Sequence, residues 1–233
     1  MSQKIALITG VGPGTGSSLA RCFHNEGYKV AMIARNKDRL KNLEDELENS
    51  KGFICDVRNL EAIDSTVNKV INQFGFPEIF IHNAVRGIRG NFLDFTSEDL
   101  QSNFDTNVTA LLRFSQLLCP NMIKKKKGSV IVTGNTSAHR GKANFGGTAS
   151  TKAAQKILTE SMARYLNPKG VHVAYITIDA VIDVPWTREM WPKKKDDFFI
   201  NPDDIAKEVL HLVNQNKSAW TFDHWLRPYG EHW

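Results

Sequence analysis

The sequence predicts a single α/β domain spanning residues 1–233, built on a doubly wound parallel sheet of about seven strands. Three observations predict it. Short apolar runs alternate with amphipathic stretches along the chain. The runs are apolar without interruption, as strands buried on both faces are. The first run ends in a glycine-rich turn that opens directly into a helical pattern, the tight connection of a βαβ unit.

The elements follow in order. Ile5 to Ile8 is the first strand. Residues 17–26 form a helix with Leu19, Ala20 and Phe23 on one side. Val30 to Ile33 is the second strand, and Leu40, Leu43 and Leu47 stripe the next helix. Phe53 to Cys55 is a third strand. Ile63, Val67, Val70 and Phe74 mark a helix, and Ile79 to Ile81 a fourth strand. Thr96 and Asp99 make a capping-box start to a long helix over about 97–119, which Pro120 ends. Val130 to Val132 is the fifth strand, 149–166 a helix, and Val171 to Ile178 the sixth strand. Residues 179–200 are irregular, rich in Trp and Pro, and suited to a substrate or lid loop. Asn201-Pro202 opens a last helix, and Trp220 to Phe222 is a seventh strand.

Composition excludes several classes. Apolar residues make up 41% of the 233, within the globular range, and no apolar run is long enough to span a membrane. The net charge of +5 comes partly from Lys124–Lys127 and Lys193–Lys195. No aromatic stacking motif accompanies these lysines, so they are read as solvated loop residues rather than a nucleic-acid surface. Cys22, Cys55 and Cys119 have neither zinc nor disulfide spacing, so no metal site is expected. Reduced thiols and a start without a signal-peptide pattern fit the cytoplasm.

The turn Thr9-Gly10-Val11-Gly12-Pro13-Gly14-Thr15-Gly16 lies where a dinucleotide pyrophosphate meets a helix N-terminus. Glycines let the backbone approach the phosphates. An acidic residue about 20 positions further on would bind a ribose hydroxyl, but the second strand ends Ala34-Arg35-Asn36. A guanidinium suits a 2′-phosphate, which favours NADP over NAD.

With these residues in place, the chain resembles the short-chain dehydrogenase/reductase family, from Lys4 to about Ile178 and more loosely beyond. Gly10, Gly14 and Gly16 match its glycine turn. Asp56-Val57 matches its adenine-contacting pair, and Asn83-Ala84 its N-A-G motif, with Val85 for the glycine. Asn107 and Lys152 match its helix asparagine and the lysine of Y-x-x-x-K. The resemblance implies a Rossmann fold, NADP, and hydride exchange with a small carbonyl or alcohol substrate. It gives Lys152 a grip on the nicotinamide ribose, and the Asn107 backbone a water leading to that lysine. It also implies a homodimer or homotetramer paired through helices 97–119 and 149–166, with Trp225, Tyr229 and Trp233 suited to a contact.

The catalytic positions depart from the family. Thr148 stands where the resemblance places the tyrosine, and Asn135 where it places the serine, with Thr136 and Ser137 close by. Tyr165 is ~20 Å further along the helix from Lys152. A threonine hydroxyl cannot be tuned into an acid as a tyrosine near pKa ~10 can. Gly146 and Gly147 leave room beside Thr148 for a larger side chain. His139, Asp179 and Asp183 are candidate substitute acids or ordinary loop residues. Two functions stay open: an NADP-dependent oxidoreductase with Asn107, Asn135, Ser137, Thr148 and Lys152 in its site, and a catalytically impaired NADP-binding sensor or scaffold.

Overall fold

The computed structural model describes residues 4–230; Met1 to Gln3 and Glu231 to Trp233, with the expected contact residue Trp233, lie outside the described residues. The central sheet has seven parallel strands: β1 (Ile5–Thr9), β2 (Lys29–Ala34), β3 (Lys51–Ile54), β4 (Ile79–His82), β5 (Ser129–Asn135), β6 (His172–Ile178) and, at its far edge, Asp223–Leu226. A two-stranded parallel ribbon, β7 (Val181–Ile182) with β8 (Phe199–Ile200), lies outside it, so the edge strand is β9. The sheet order is β3-β2-β1-β4-β5-β6-β9. The chain winds outward in one direction from β1 and then in the other from β4, which opens a crevice between their C-terminal ends.

Successive residues of each strand face opposite layers. Leu7, Ile33 and Val130 face α3 (Leu60–Phe74), α5 (Ala110–Lys125) and α6 (Gly146–Leu166). Ala6, Ile8, Met32 and Ile131 face α1 (Thr15–Asn25), α2 (Lys37–Glu46) and α8 (Pro202–Val213). Gly134 makes space for a neighbour: a Cβ there would lie 2.0 Å from the hydroxyl of Tyr175 of β6.

Four expectations are corrected. Pro120 does not end its helix. It sits on the exposed face of α5, where water can solvate the backbone group it leaves unpaired, and the helix runs to Lys125 before Lys126 turns left-handed at φ 51°. The long helix is present but not regular throughout: between α4 (Ser97–Phe104) and α5 it widens into a π-turn over Asp105–Thr109 without leaving the helical conformation. The capping box at Thr96 and Asp99 is formed. The seventh strand begins at Asp223 rather than Trp220, because Trp220 stacks on His172 at 4.9 Å and the Thr221 amide donates to Gln215 Oε1. Residues 179–200 are not irregular throughout: they carry β7, β8 and a short helix, α7 (Pro185–Met190).

Candidate active site at the sheet crevice

A cavity of about 890 Å³ opens at the crevice between the tips of β1 and β4. The glycine turn forms its floor. Gly10 has φ +70°, and a Cβ on it would lie 2.5 Å from the backbone of Ala84. A Cβ on Gly16 would lie 2.3 Å from the Gly10 carbonyl oxygen. The helix behind the turn begins with no side-chain cap and no acidic residue in its first turn. Thr15 Oγ1 is buried without a hydrogen-bond partner. An uncapped N-terminus and an orphaned hydroxyl beside glycine backbone fit a bound phosphate.

The walls carry the other expected cofactor residues. Asn83 Nδ2 donates to the Gly10 carbonyl at 2.8 Å, and Asn83 Oδ1 accepts from Thr133 Oγ1 at 3.0 Å. Asn83 is therefore the strut that holds the turn against β5. Arg35 is exposed at the tip of β2, beside Asn36, which caps α2 by accepting from the Arg39 amide at 2.8 Å. Asp56 and Val57 line the same cavity. The Asp56 carboxyl lies below its ordinary pKa, first through the hydrogen bonds of Arg58. Arg39, Arg58 and Arg86 also line the cavity, so four arginines border it. Sequence reasoning missed Arg39, although it lies one helical turn beyond Arg35.

Lys152 is buried on α6, and burial lowers its pKa to about 7. Its Nζ donates to the Thr133 carbonyl at 3.2 Å and to Gln155 Oε1 at 2.8 Å. Gln155 Nε2 donates to the Asn107 carbonyl at 2.6 Å. Asn107 lies in the π-turn, and its side chain clasps the backbone of Arg86: Oδ1 accepts from the amide at 3.1 Å and Nδ2 donates to the carbonyl at 2.8 Å. Buried His82 is held neutral, its pKa lowered to about 3 by desolvation first and by Lys152 second. Gln155 was also missed in the sequence. Its signal is hidden because the buried face of α6 already carries Thr148, Thr151, Lys152 and Thr159.

The remaining expected catalytic groups are committed elsewhere. Thr148 Oγ1 donates to the Ile88 carbonyl at 2.9 Å and accepts from the Ile88 amide at 2.8 Å. It pins the loop after β4 onto α6. Gly147 leaves no spare room there, because a Cβ would lie 3.0 Å from Ile88 Cδ1. Asn135 Oδ1 accepts from the Ser137 amide at 3.0 Å and caps the short turn that carries Ser137. Asn107, Asn135, Ser137, Thr148 and Lys152 do not line the large cavity. His139 points away to Thr177 and packs on Trp225 at 4.5 Å between ring centres. Asp179 is bound by Arg140 and Arg227, and Asp183 by Arg188. These three are stabilising loop contacts.

The sequence matches the family described as short chain dehydrogenase over residues 4–195. The chain belongs to the short-chain dehydrogenase family. An uncharacterized oxidoreductase of Staphylococcus aureus strain N315 is 29% identical over 230 residues, covering 98% of both chains. A second, from Staphylococcus epidermidis, is 25% identical over 231 residues and also covers 98% of each. Solved structures of the same fold include an alcohol dehydrogenase from the archaeon Thermococcus sibiricus complexed with 5-hydroxy-NADP. It superimposes with a TM-score of 0.87 at 26% identity, covering 98% of both chains. The L-sorbose reductase of Gluconobacter frateurii, complexed with NADPH and L-sorbose, has a TM-score of 0.87 at 22% identity, covering 98% of this chain and 96% of that one. The family match and these superpositions agree with the doubly wound parallel sheet described above.

Proposed function

We propose that this short-chain dehydrogenase is an NADP-dependent oxidoreductase acting on a carbonyl or hydroxyl group of a small molecule. The observation that carries the reading is the tip of β2, where Arg35 and Arg39 meet the cavity and no carboxylate takes the ribose position. The NADP-bound relatives of the same fold support it. Gly10, Gly12, Gly14, Thr15 and Gly16 would take the pyrophosphate, Asp56 and Val57 the adenine, and Asn83 and Ala84 would flank the nicotinamide half. Lys152 would hold the nicotinamide ribose by exchanging its bond to the Thr133 carbonyl, since as folded here it is buried just behind the cavity lining. When bound, the nicotinamide supplies or accepts the hydride. Ile182, Val184 and Trp186 of the 179–200 segment line the cavity, with Val184 and Ile182 against Gly14, and this segment is read as its cover.

Arg35→Ala should weaken NADPH binding about 10- to 100-fold, the loss of one or two charge-assisted hydrogen bonds. NADH binding should stay nearly unchanged. Titration calorimetry with both cofactors tests this, and an equal loss for both would show that Arg35 does not read the 2′-phosphate.

One observation favours the second reading, a cofactor-binding protein without turnover. Both hydrogen-bonding roles of the Thr148 hydroxyl are used by Ile88. A panel of carbonyl substrates with NADPH decides between them. The proposal includes a homodimer or homotetramer: Leu112 on α5 and Ile157 on α6 are exposed apolar side chains on the two long helices. Light scattering at micromolar concentration should give a multiple of the chain mass, and a monomer mass would refute it. The free thiols fit a reducing compartment such as the cytoplasm. No helix among the described residues is long and apolar enough to cross a membrane.

A further inference from the structure

Gln155 lies between Lys152, which the reading above uses, and Asn107. It is fully buried, and a buried amide must satisfy both its ends or cost a few kcal/mol. Here each end has a partner: Oε1 accepts from Lys152 Nζ at 2.8 Å, and Nε2 donates to the Asn107 carbonyl at 2.6 Å. The contact completes a chain of hydrogen bonds. It runs from the Gly10 carbonyl through Asn83 and Thr133 to Lys152, then through Gln155 to Asn107 and the Arg86 backbone. Gln155 is the link that joins the lysine to the asparagine.

We propose that Gln155 is a positioning residue: its amide occupies the path between Lys152 and the Asn107 carbonyl, orients the lysine, and favours its charged form. The direction of the amide decides this. The Asn107 carbonyl accepts only a donor, so the NH₂ end must face it and the carbonyl end must face Lys152. A carbonyl oxygen against an amine favours the charged form. The groups facing Lys152 add no competing charge. Thr133 of β5 offers its carbonyl, and His82 of β4 is neutral. Among the described residues no carboxylate pairs with Lys152. The route along which the family resemblance places a water is thereby filled by a side chain that cannot pass a proton along it.

The role of Lys152 toward cofactor rests on the reading above, so the test has an arm without cofactor. The protein is labelled with lysine carrying ¹³C at Cε, and the Lys152 signal, assigned with Lys152→Met, is titrated by NMR. Gln155→Leu removes the acceptor and should lower the midpoint by about one to two pH units. Gln155→Glu puts a carboxylate beside the amine and should raise it. Shifts of opposite sign support the proposal, and the Glu variant decides alone if the Leu variant does not fold. Midpoints that stay at the wild-type value, with only the melting temperature lowered, overturn it. In the second arm, the pH at which NADPH affinity falls should move with the same signs. Opposite NMR shifts in a protein that binds no NADPH would refute the cofactor reading and leave the positioning role standing.

Discussion

Thr148→Tyr is expected to raise NADPH-dependent reduction of a reactive dicarbonyl or quinone by up to ~10²–10⁴-fold, the contribution of one positioned general acid. Lys152 follows one helical turn later, ~5–6 Å away between Cβ atoms, where an ammonium lowers a phenol's pKa. The same change should cost stability. The threonine hydroxyl makes two hydrogen bonds to the Ile88 backbone, and the side of Gly147 facing the loop is already filled by Ile88. A phenol therefore displaces the 86–89 segment, which remains tied at Arg86 through Asn107. The loss should be about 1–3 kcal/mol, the value of hydrogen bonds removed from partly buried backbone. Steady-state rates and thermal unfolding measured on one preparation check both halves. A folded variant that binds NADPH but turns over no carbonyl would favour the cofactor-binding reading over the enzyme.

Gly10→Ala should be the most damaging single change to the crevice. The position has φ +70°, which costs a side-chain-bearing residue ~1–2 kcal/mol. The added methyl would also lie 2.5 Å from the Ala84 amide nitrogen and Cα, atoms of packed backbone that cannot rotate away. Overpacking of this kind costs ~1–3 kcal/mol. A total of ~2–5 kcal/mol lowers Tm by roughly 5–15 °C for a chain of this size. Cofactor binding should be lost with it, because the Asn83–Gly10 strut is pushed apart. Gly12→Ala is the contrast. Only the Gly10 carbonyl oxygen lies within 4 Å of its Cβ, at 3.9 Å. This variant should keep its Tm and lose phosphate affinity alone. Equal melting of the two variants would show that Gly10 does not brace the crevice.

The fold was legible because its signals are local. Uninterrupted runs such as Ile5 to Ile8 and spacings such as Ile63, Val67 and Val70 report burial on two faces or one. The glycine turn was equally legible, since the need for bare backbone is written in residue type. Local rules failed where the environment overrides them. Pro120 breaks a helix interior, but on an exposed face of α5 the helix tolerates it. Trp220 has strand propensity, but a stacking partner 48 residues earlier removes it from the strand.

By itself the sequence determined the doubly wound sheet, the place of the crevice and the arginine at the tip of β2. Only the tertiary structure decided what the polar side chains do. Thr148 is a pin because Ile88, 60 residues away in the chain, offers both a donor and an acceptor. Gln155 joins Lys152 to Asn107 because a π-turn in a different helix presents a carbonyl to it. His139, one of the candidate acids, is spent on Thr177 and Trp225. Apolar burial is non-directional and roughly proportional to area, so a one-dimensional pattern can report it. A hydrogen bond needs a partner at one distance and angle, and that partner comes from a segment the local sequence does not contain.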